Sequence, residues 1–161
     1  MKGNEVAHNV ERFRINLFGT DLMVTRENGL IVSMNLFGGQ ADLPHDHEFE
    51  LLLKDWLEGD QNSLAPFPHE LRVSDFQKGV LETLRERVPK GRTCTYGELA
   101  AMLGGAKYTR AVAGALASNP LPLFYPCHRV IGADGSLTGF AFGLELKEKL
   151  LEFERPYPDA H

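Results

Sequence analysis

The chain has 161 residues, of which 43% are hydrophobic, and a formal net charge of −5. This length is enough for one domain or two small ones, and no apolar run approaches the roughly 18 residues that a membrane span needs. Residues 1–5 are polar and unlike a signal peptide, and two cysteines, Cys94 and Cys127, are too few for a typical secreted disulfide framework. We therefore expect a cytoplasmic protein with two free thiols.

The charge is unevenly distributed. Residues 1–71 contain 5 Lys and Arg against 12 Asp and Glu, whereas residues 72–129 contain 9 against 4 and carry a net charge of +5. A basic segment within an acidic protein is typical of a surface that faces a polyanion. A solvated helix face with mixed charge would give the same count, so charge alone does not decide.

The first part of the chain predicts an antiparallel sheet followed by a helix. Alternating apolar residues and the turn sequences Gly19-Thr20-Asp21 and Asn28-Gly29 predict a three-stranded meander over residues 11–36. Helical spacing predicts a helix over residues 46–57. Its apolar side would consist of Phe49, Leu52, Leu53, Trp56 and Leu57. Residues 61–72 contain two prolines and are interpreted as a linker, so a domain boundary is expected after residue 71.

His45-Asp46-His47 is the one place where this part of the sequence suggests metal binding. Two exposed loop histidines are the commoner explanation, because no further Cys or His lies nearby in the sequence. Residues 1–71 also contain no cysteine. We expect no metal site.

The second part of the chain begins with helix signals. Ser74 with Gln77, and Thr95 with Glu98, have the spacing of capping boxes. They predict one helix after residue 74 and a short one over residues 96–103. A glycine turn and a further helix over about residues 107–117 complete a helix-turn-helix pattern.

The helix over residues 107–117 consists almost entirely of small side chains, with Arg110 near its start. Small side chains allow close packing on a neighbouring helix. They would equally allow close approach to a DNA groove, with Arg110 as the probing side chain. The residue types alone leave both interpretations open.

Residues 123–131 form an apolar run that predicts a buried strand carrying Cys127 and His128. Neighbours on a strand point to opposite faces, so contact between these two side chains would need a kink or an intervening water. A thiol becomes nucleophilic as a thiolate, which a nearby base favours. A carboxylate should orient that base. The candidates are Glu154, Glu152, Asp134 and Glu145. A glycine-rich loop over residues 137–143 and a last helix over residues 144–153 follow.

Several separate motifs together resemble the O6-alkylguanine-DNA alkyltransferases. They are Pro126-Cys127-His128-Arg129-Val130, the preceding Arg110-Ala111-Val112-Ala113-Gly114-Ala115-Leu116 and Asn119-Pro120, and the later Gly139, Gly143-Leu144, Lys147-Glu148, Leu150-Leu151 and Glu154. The resemblance covers residues 76–154, and residues 1–71 are similar in size and element order only. It implies an α+β protein. Residues 1–71 would form an antiparallel-sheet, RNase H-like domain, and residues 72–161 a helical, winged-helix-like alkyltransferase domain.

The resemblance also implies a function. A monomer would bind double-stranded DNA in the minor groove and flip out an O6-alkylguanine. Cys127 would take the alkyl group irreversibly, once and without a cofactor. His128 would be the base acting through a water, oriented by Glu154, while Asn119 supports the thiolate. Tyr96 would contact the guanine and the 3′ phosphate, and Arg110 would fill the gap left by the flipped base.

The remaining site residues follow from the same resemblance. Further DNA contacts would come from Thr109, Ala111, Ala113, Gly114 and Arg129. The substrate pocket would be formed by Val130, Phe140, Ala141 and Phe142. Phe140 stands where many relatives have tyrosine, and Phe142 would be bulky at the pocket rim. We therefore expect methyl lesions to react well and benzyl adducts poorly.

Two other functions are considered. Alkyltransferase-like proteins bind lesions without repairing them, but they lack the acceptor cysteine that Cys127 provides here. A Cys-His-Glu hydrolase would act on amides or esters with many turnovers, whereas alkyl transfer stops at one.

Overall fold

The computed structural model of the chain describes residues 8–39 and 42–156. These residues form two compact units that divide between Glu70 and Leu71. Residues 1–5, on which we judged the absence of a signal peptide, lie outside the described residues. Within the described ranges no helix combines the length and the apolar composition that crossing a membrane requires.

The first unit contains the predicted meander. Strands β1 (Val10–Leu17), β2 (Thr20–Glu27) and β3 (Leu30–Leu36) form an antiparallel sheet in sequence order. Both hairpins have two-residue turns with positive φ, at Phe18-Gly19 and Asn28-Gly29, as tight hairpins require. The first turn therefore lies earlier than predicted, because Thr20 already pairs with Leu17 in the ladder.

Helix α1 (His47–Glu58) supplies the aromatic core of this unit. The Asp46 side chain caps it by accepting a hydrogen bond from the Phe49 amide at 2.9 Å. The Phe49 ring packs edge-on against Phe13 of β1, with ring centroids 5.0 Å apart. One residue of the predicted apolar side is misplaced, since Leu52 is 43% exposed.

Residues 61–70 are a packed part of the first unit and do not form the expected linker. The Ile31 amide donates to Pro68 O, and Ile31 O accepts from the Glu70 amide, which places this segment beside β3. Phe67 is buried between Phe49 and Trp56. The two prolines did not indicate a linker here, because a segment with few backbone amides can still bury an aromatic side chain.

The second unit is mainly helical. Its helices are α2 (Asp75–Arg87), α3 (Tyr96–Met102), α4 (Thr109–Ala117) and α5 (Leu144–Glu154). Two short strands, β4 (Cys94–Thr95) and β5 (Val130–Ile131), pair in parallel. Helices α3 and α4, joined by a 3₁₀ turn over Ala106–Tyr108, form the predicted helix-turn-helix.

The two predicted capping boxes differ. Thr95 and Glu98 form a complete box, with each side chain accepting from the other residue's amide. The Ser74 side chain caps α2 by accepting from the Gln77 amide. The Gln77 side chain donates instead to Ala115 O and Ser118 O at the end of α4.

The central apolar stretch differs from the prediction. Residues 121–130 are all buried, as expected. Cys127–Arg129, however, form a 3₁₀ turn, and only the two residues of β5 that follow are a strand. The strand prediction was wrong because burial of ten successive residues reflects their central position in the unit, which does not require extended backbone.

Candidate active site

Cys127 begins the 3₁₀ turn and is 6% exposed. The Asn119 side-chain amide donates to Cys127 Sγ at 3.3 Å and to Tyr125 O at 2.9 Å. The Asn119 carbonyl oxygen accepts from the Leu121 amide at 2.9 Å. One buried asparagine thus holds the backbone on the N-terminal side of the turn and also contacts the sulfur.

The surroundings of Cys127 do not favour its thiolate at rest. Burial raises the pKa of the Cys127 thiol to about 11, although the Asn119 hydrogen bond and the positive charge of Lys147 act in the opposite direction. A thiol with such a pKa is almost fully protonated at neutral pH. Nucleophilic attack by this sulfur therefore requires a base to remove the proton.

His128, Arg129 and Glu154 form a buried cluster beside the cysteine. His128 Nε2 lies 2.9 Å from Glu154 Oε1. Arg129 donates to both oxygens of the same carboxylate, from Nε at 2.9 Å and from NH2 at 2.8 Å. Of the four carboxylates that the sequence left open, Glu154 is the one that contacts His128.

The cluster fixes the charge states of its members. Burial would raise the pKa of Glu154, but the hydrogen bonds from Arg129 and His128 outweigh it and hold that pKa far below its usual range. Burial lowers the pKa of His128, although Glu154 acts against this. Glu154 is thus ionised and His128 neutral at neutral pH.

These charge states define a tautomer of His128. An ionised carboxylate only accepts hydrogen bonds, so His128 Nε2 carries the proton and Nδ1 is the acceptor. Nδ1 is buried and has no hydrogen-bond partner among the described residues. His128 therefore has a basic nitrogen available to take a proton.

Arg129 does not have its predicted role. It is 3% exposed, and besides Glu154 it contacts Val88 O through NH1 at 3.0 Å. The prediction that Arg129 contacts DNA is wrong, because its guanidinium balances the charge of a buried carboxylate. The sequence did not reveal this ion pair, because Glu154 lies 25 residues after Arg129.

A cavity of about 210 Å³ opens onto Cys127. Its lining residues are Tyr96, Ala113, Leu116, Ala117, Cys127, Gly139, Phe140 and Ala141. The Tyr96 hydroxyl donates to Thr138 O at 3.2 Å and lies 3.3 Å from Thr138 Oγ1. The structure thus brings together Cys127, Tyr96 and the 137–143 loop around one space.

The side chains of two predicted pocket residues, Phe142 and Val130, are not among the lining residues of this cavity. Phe142 is 3% exposed and packs behind Phe140, with ring centroids 5.4 Å apart. Its predicted position at the rim is wrong, and it acts as a support for the Phe140 ring. The Val130 side chain is fully buried, and the contact that the resemblance implies for this residue involves its backbone carbonyl, which accepts from Lys147.

Lys147 is a site residue that we did not single out from the sequence. It is completely buried on α5, and its ammonium donates to Val130 O at 2.6 Å, Thr138 O at 2.7 Å and Gly139 O at 3.2 Å. It therefore fastens the 137–143 loop to β5 beside the cavity. The sequence signal that could have revealed it is a lysine on the apolar side of the last helix, next to Leu146 and one turn before Leu150.

Helix α4 presents both kinds of surface that its small residues suggested. Val112, Ala115 and Leu116 are buried, whereas the outer side exposes residues that include Arg110, Ala111 and Gly114. Ala113 is half-buried at the cavity, and Thr109 Oγ1 donates to Ala106 O at 2.7 Å. The helix packs closely inward and leaves a smooth outer side next to the cavity.

Not all of the basic residues in 72–129 are available to a polyanion. Arg129 is buried, and the half-buried Arg85 donates to Phe124 O. The exposed ones are Arg72, Lys78, Arg87, Arg92, Lys107 and Arg110. Lys107 and Arg110 stand near the start of α4, beside its smooth outer side.

Comparisons with known proteins agree with this geometry. The 6-O-methylguanine DNA methyltransferase DNA-binding domain family matches residues 75–156. A methylated-DNA–protein-cysteine methyltransferase of Haemophilus influenzae is 39% identical over 121 residues, which are 74% of this chain and 67% of that protein. One of the same name from Methanosarcina acetivorans is 52% identical over 81 residues, 50% of this chain and 51% of that protein. The chain thus aligns with between half and two thirds of these two relatives.

Solved structures extend the likeness to nearly the whole chain. The O6-methylguanine methyltransferase of Mycobacterium tuberculosis has a TM-score of 0.76 at 27% identity, with 95% of this chain and 97% of that chain covered. The same organism's OGT in complex with DNA has a TM-score of 0.74 at 27% identity, with coverage of 90% and 92%. The arrangement around Cys127, the family match and these neighbours agree, and the chain belongs to the 6-O-methylguanine DNA methyltransferase family.

Proposed function

We propose that this protein repairs double-stranded DNA by moving an alkyl group from O6 of guanine onto its own Cys127, once per molecule. The observation that carries the proposal is the arrangement around the sulfur. A buried thiol contacts Asn119, lies next in the chain to a neutral histidine held by an ionised glutamate, and opens onto a cavity. This combination supplies a nucleophile, a base and a space for one base of DNA.

The chemistry balances with these groups alone. His128 Nδ1 takes the Cys127 proton, directly or through a water, and the sulfur attacks the alkyl carbon as the carbon–O6 bond breaks. The electron pair of that bond stays on guanine, which then takes up a proton. Sulfur ends as a thioether, which is a poor leaving group, so the protein is consumed. No cofactor is required.

Helix α4 would supply the DNA-binding surface. Its exposed small residues permit close approach to the minor groove, and the neighbouring Lys107 and Arg110 would contact phosphates or the duplex interior. A cavity that opens onto Cys127 cannot reach a stacked base, so the target guanine must be flipped out. Arg110 would then occupy the space that the base leaves.

The cavity residues would orient the flipped guanine. The Tyr96 hydroxyl would exchange its contact with Thr138 for guanine N3. The carbonyls of Cys127 and Val130 would accept from the exocyclic amine. Lys147 already uses one lone pair of Val130 O, and the second lone pair remains for the substrate.

The deciding experiment follows the mass of the intact protein. We expect incubation with duplex DNA that carries O6-methylguanine to add one methyl in place of a hydrogen, never more than once per molecule. Cys127→Ser should abolish the gain. Binding without any mass change would instead indicate a lesion-binding protein, and repeated turnover of an ester or amide would indicate a hydrolase.

The remaining proposals concern organisation and location. Residues 1–71 would be a separate α/β domain, and residues 72–161 would carry the DNA-binding and transfer functions. Both cysteines are free, which the proposed chemistry requires of Cys127. A reducing compartment such as the cytoplasm suits a free thiol. A monomer suffices, because every group named above belongs to one chain.

A further inference from the structure

His45, His47 and Glu50 come together at the start of α1 in the first unit, whereas the residues of the proposed reaction belong to the second unit. Their ligand atoms all lie within 4.8 Å of one another. His45 Nε2 is 2.7 Å from Glu50 Oε1, and the rings of His45 and His47 are stacked with centroids 3.8 Å apart. Glu50 is the third potential ligand beside the two histidines, and it was not among the Cys and His residues considered as ligands from the sequence.

The backbone explains why these three side chains meet. β1 holds the segment before the helix, because the Arg14 amide donates to Pro44 O and Arg14 O accepts from the Asp46 amide. His45 therefore sits in a fixed extended segment. His47 and Glu50 are three residues apart in the first turn of α1, so they lie on the same side of that helix.

We infer that His45, His47 and Glu50 form a binding site for one divalent transition-metal ion of the zinc type. Two imidazoles and a carboxylate are a donor set that zinc accepts while keeping a further position for water. His45 and His47 line an open cleft of about 600 Å³, so the ion reaches them from solvent. To bind one ion, His45 Nε2 and Glu50 Oε1, now 2.7 Å apart, need to separate only slightly. The exposed His47 ring can turn towards them.

Glu50 is prepared for this role. Its Oε1 accepts a hydrogen bond from the Asn16 amide, and its side chain is 12% exposed. The carboxylate is thus held in one orientation by β1.

Arg14 opposes the ion. Its NH1 lies 3.4 Å from His45 Nδ1, a long contact in which the guanidinium donates and so places the His45 proton on Nε2. Coordination through Nε2 moves that proton to Nδ1, and the Arg14 contact must then break. Arg14 keeps a second hydrogen bond, from Nε to Leu43 O at 3.2 Å. Removing the Arg14 charge should therefore strengthen metal binding.

The bound ion would join the segment before α1 to the first turn of that helix. The site is distinct from Cys127, so it would stabilise the first unit without taking part in alkyl transfer. Metal binding can therefore be absent while alkyl transfer occurs, and alkyl transfer can be absent while metal binds, so the two proposals fail separately.

The test is a calorimetric titration of the metal-stripped full chain with Zn²⁺. We expect one ion per chain. His47→Gln is the main variant, because His47 is exposed and its loss should not unfold the protein. It should weaken binding by more than the roughly 10–100-fold that loss of an outer-shell partner costs. His8→Gln, an exposed histidine of the same unit that pairs with Glu27, should leave binding unchanged.

Two further measurements separate this site from adventitious binding. Arg14→Met should bind Zn²⁺ more tightly than the wild type, an effect that a surface histidine elsewhere would not give. Co²⁺ in place of zinc should give a visible spectrum without the charge-transfer band of a thiolate ligand, which excludes Cys127 as the ligand. Absence of binding, equal binding by the His47 and His8 variants, or a thiolate band would overturn the proposal.

Discussion

At the scale of single residues, the proton of Cys127 decides what the site can do. Burial raises the pKa of this thiol to about 11, and burial lowers the pKa of His128. The sulfur is therefore protonated and the imidazole neutral over the whole range around neutral pH. A neutral base next to a protonated nucleophile makes the reaction rate depend on the base.

This arrangement predicts how the rate depends on pH. In the wild type, His128 is neutral above its lowered pKa, so the alkyl-transfer rate should be constant from about pH 7 to 9 and fall in acid as His128 becomes protonated. In His128→Asn, only the small thiolate fraction can react, and the rate should rise about tenfold per pH unit towards the pKa of Cys127. Single-turnover rates on methylated duplex, with folding checked by circular dichroism, test this. A flat profile in the variant would show that His128 is not the base.

Arg129 stabilises the fold through the buried charge of Glu154. Arg129→Met should lower the free energy of unfolding by about 3–5 kcal/mol, because it leaves a buried carboxylate without its cation. Glu145→Gln is a matched control, since it breaks an exposed pair with Lys149 at 3.4 Å and should have little effect. Urea unfolding of both variants provides the comparison. Similar small losses would mean that the buried pair contributes no more than a surface one.

At the scale of elements, local sequence signals correctly predicted several caps and turns, whereas side-chain partners that are distant in the sequence were not predicted. The Thr95–Glu98 capping box and the Asn28-Gly29 turn have their defining residues within three positions of each other, so a short stretch of sequence was enough to predict them. Gln77 and Arg129 find their partners 38 and 25 residues away. Nothing near Gln77 in the sequence distinguishes it from an exposed polar residue, and the apolar run around Arg129 predicted its burial but not its partner.

Gln77 connects two helices of the second unit. Its side-chain amide donates hydrogen bonds to Ala115 O and Ser118 O at the end of α4, next to Asn119. Gln77→Ala should cost about 1 kcal/mol of unfolding free energy, the usual net value of such hydrogen bonds. Lys78→Ala, at the exposed neighbouring position of α2, should change stability by less than about 0.5 kcal/mol. If the two variants unfold at the same urea concentration, the connection does not stabilise the unit.

The 137–143 loop should restrict the size of the alkyl group. Phe140 borders the cavity, and its ring packs against the ring of the buried Phe142. We expect the wild type to react slowly with O6-benzylguanine and Phe142→Ala to react faster, with the methylguanine rate as the control. Gel-based labelling with a benzylguanine probe measures this, and rapid labelling of the wild type would contradict it.

At the scale of the whole molecule, family resemblance supplied what residue patterns could not. Without the resemblance, a single cysteine beside a single histidine is more often structural than catalytic, so Cys127 and His128 alone did not indicate a nucleophile. The resemblance correctly indicated that Asn119 contacts Cys127 and that Glu154 contacts His128. It misplaced Arg129 and Phe142, whose surroundings depend on how this chain packs its own interior.

Arg110 is expected to matter only when the substrate is a duplex. Arg110→Ala should slow repair of O6-methylguanine in duplex DNA about 10–100-fold, since holding a base out of the stack costs a few kcal/mol. Its reaction with the free base should be unchanged. Lys107→Ala serves as the control, because an exposed cation that only contacts phosphate should weaken DNA binding in a salt-dependent way. Equal slowing on duplex and free base would remove Arg110 from base flipping.

The position of Glu154 has a consequence for synthesis of the protein. The carboxylate that orients His128 and neutralises Arg129 follows them by 26 and 25 residues. During translation the turn over Cys127–Arg129 leaves the ribosome before its partner exists, so two cationic or polar side chains have no stable buried arrangement until α5 arrives. In a nascent chain, Cys127 therefore lacks an oriented base. His128 can take the proton of the thiol only after the last turn of α5 has docked and Glu154 contacts the imidazole.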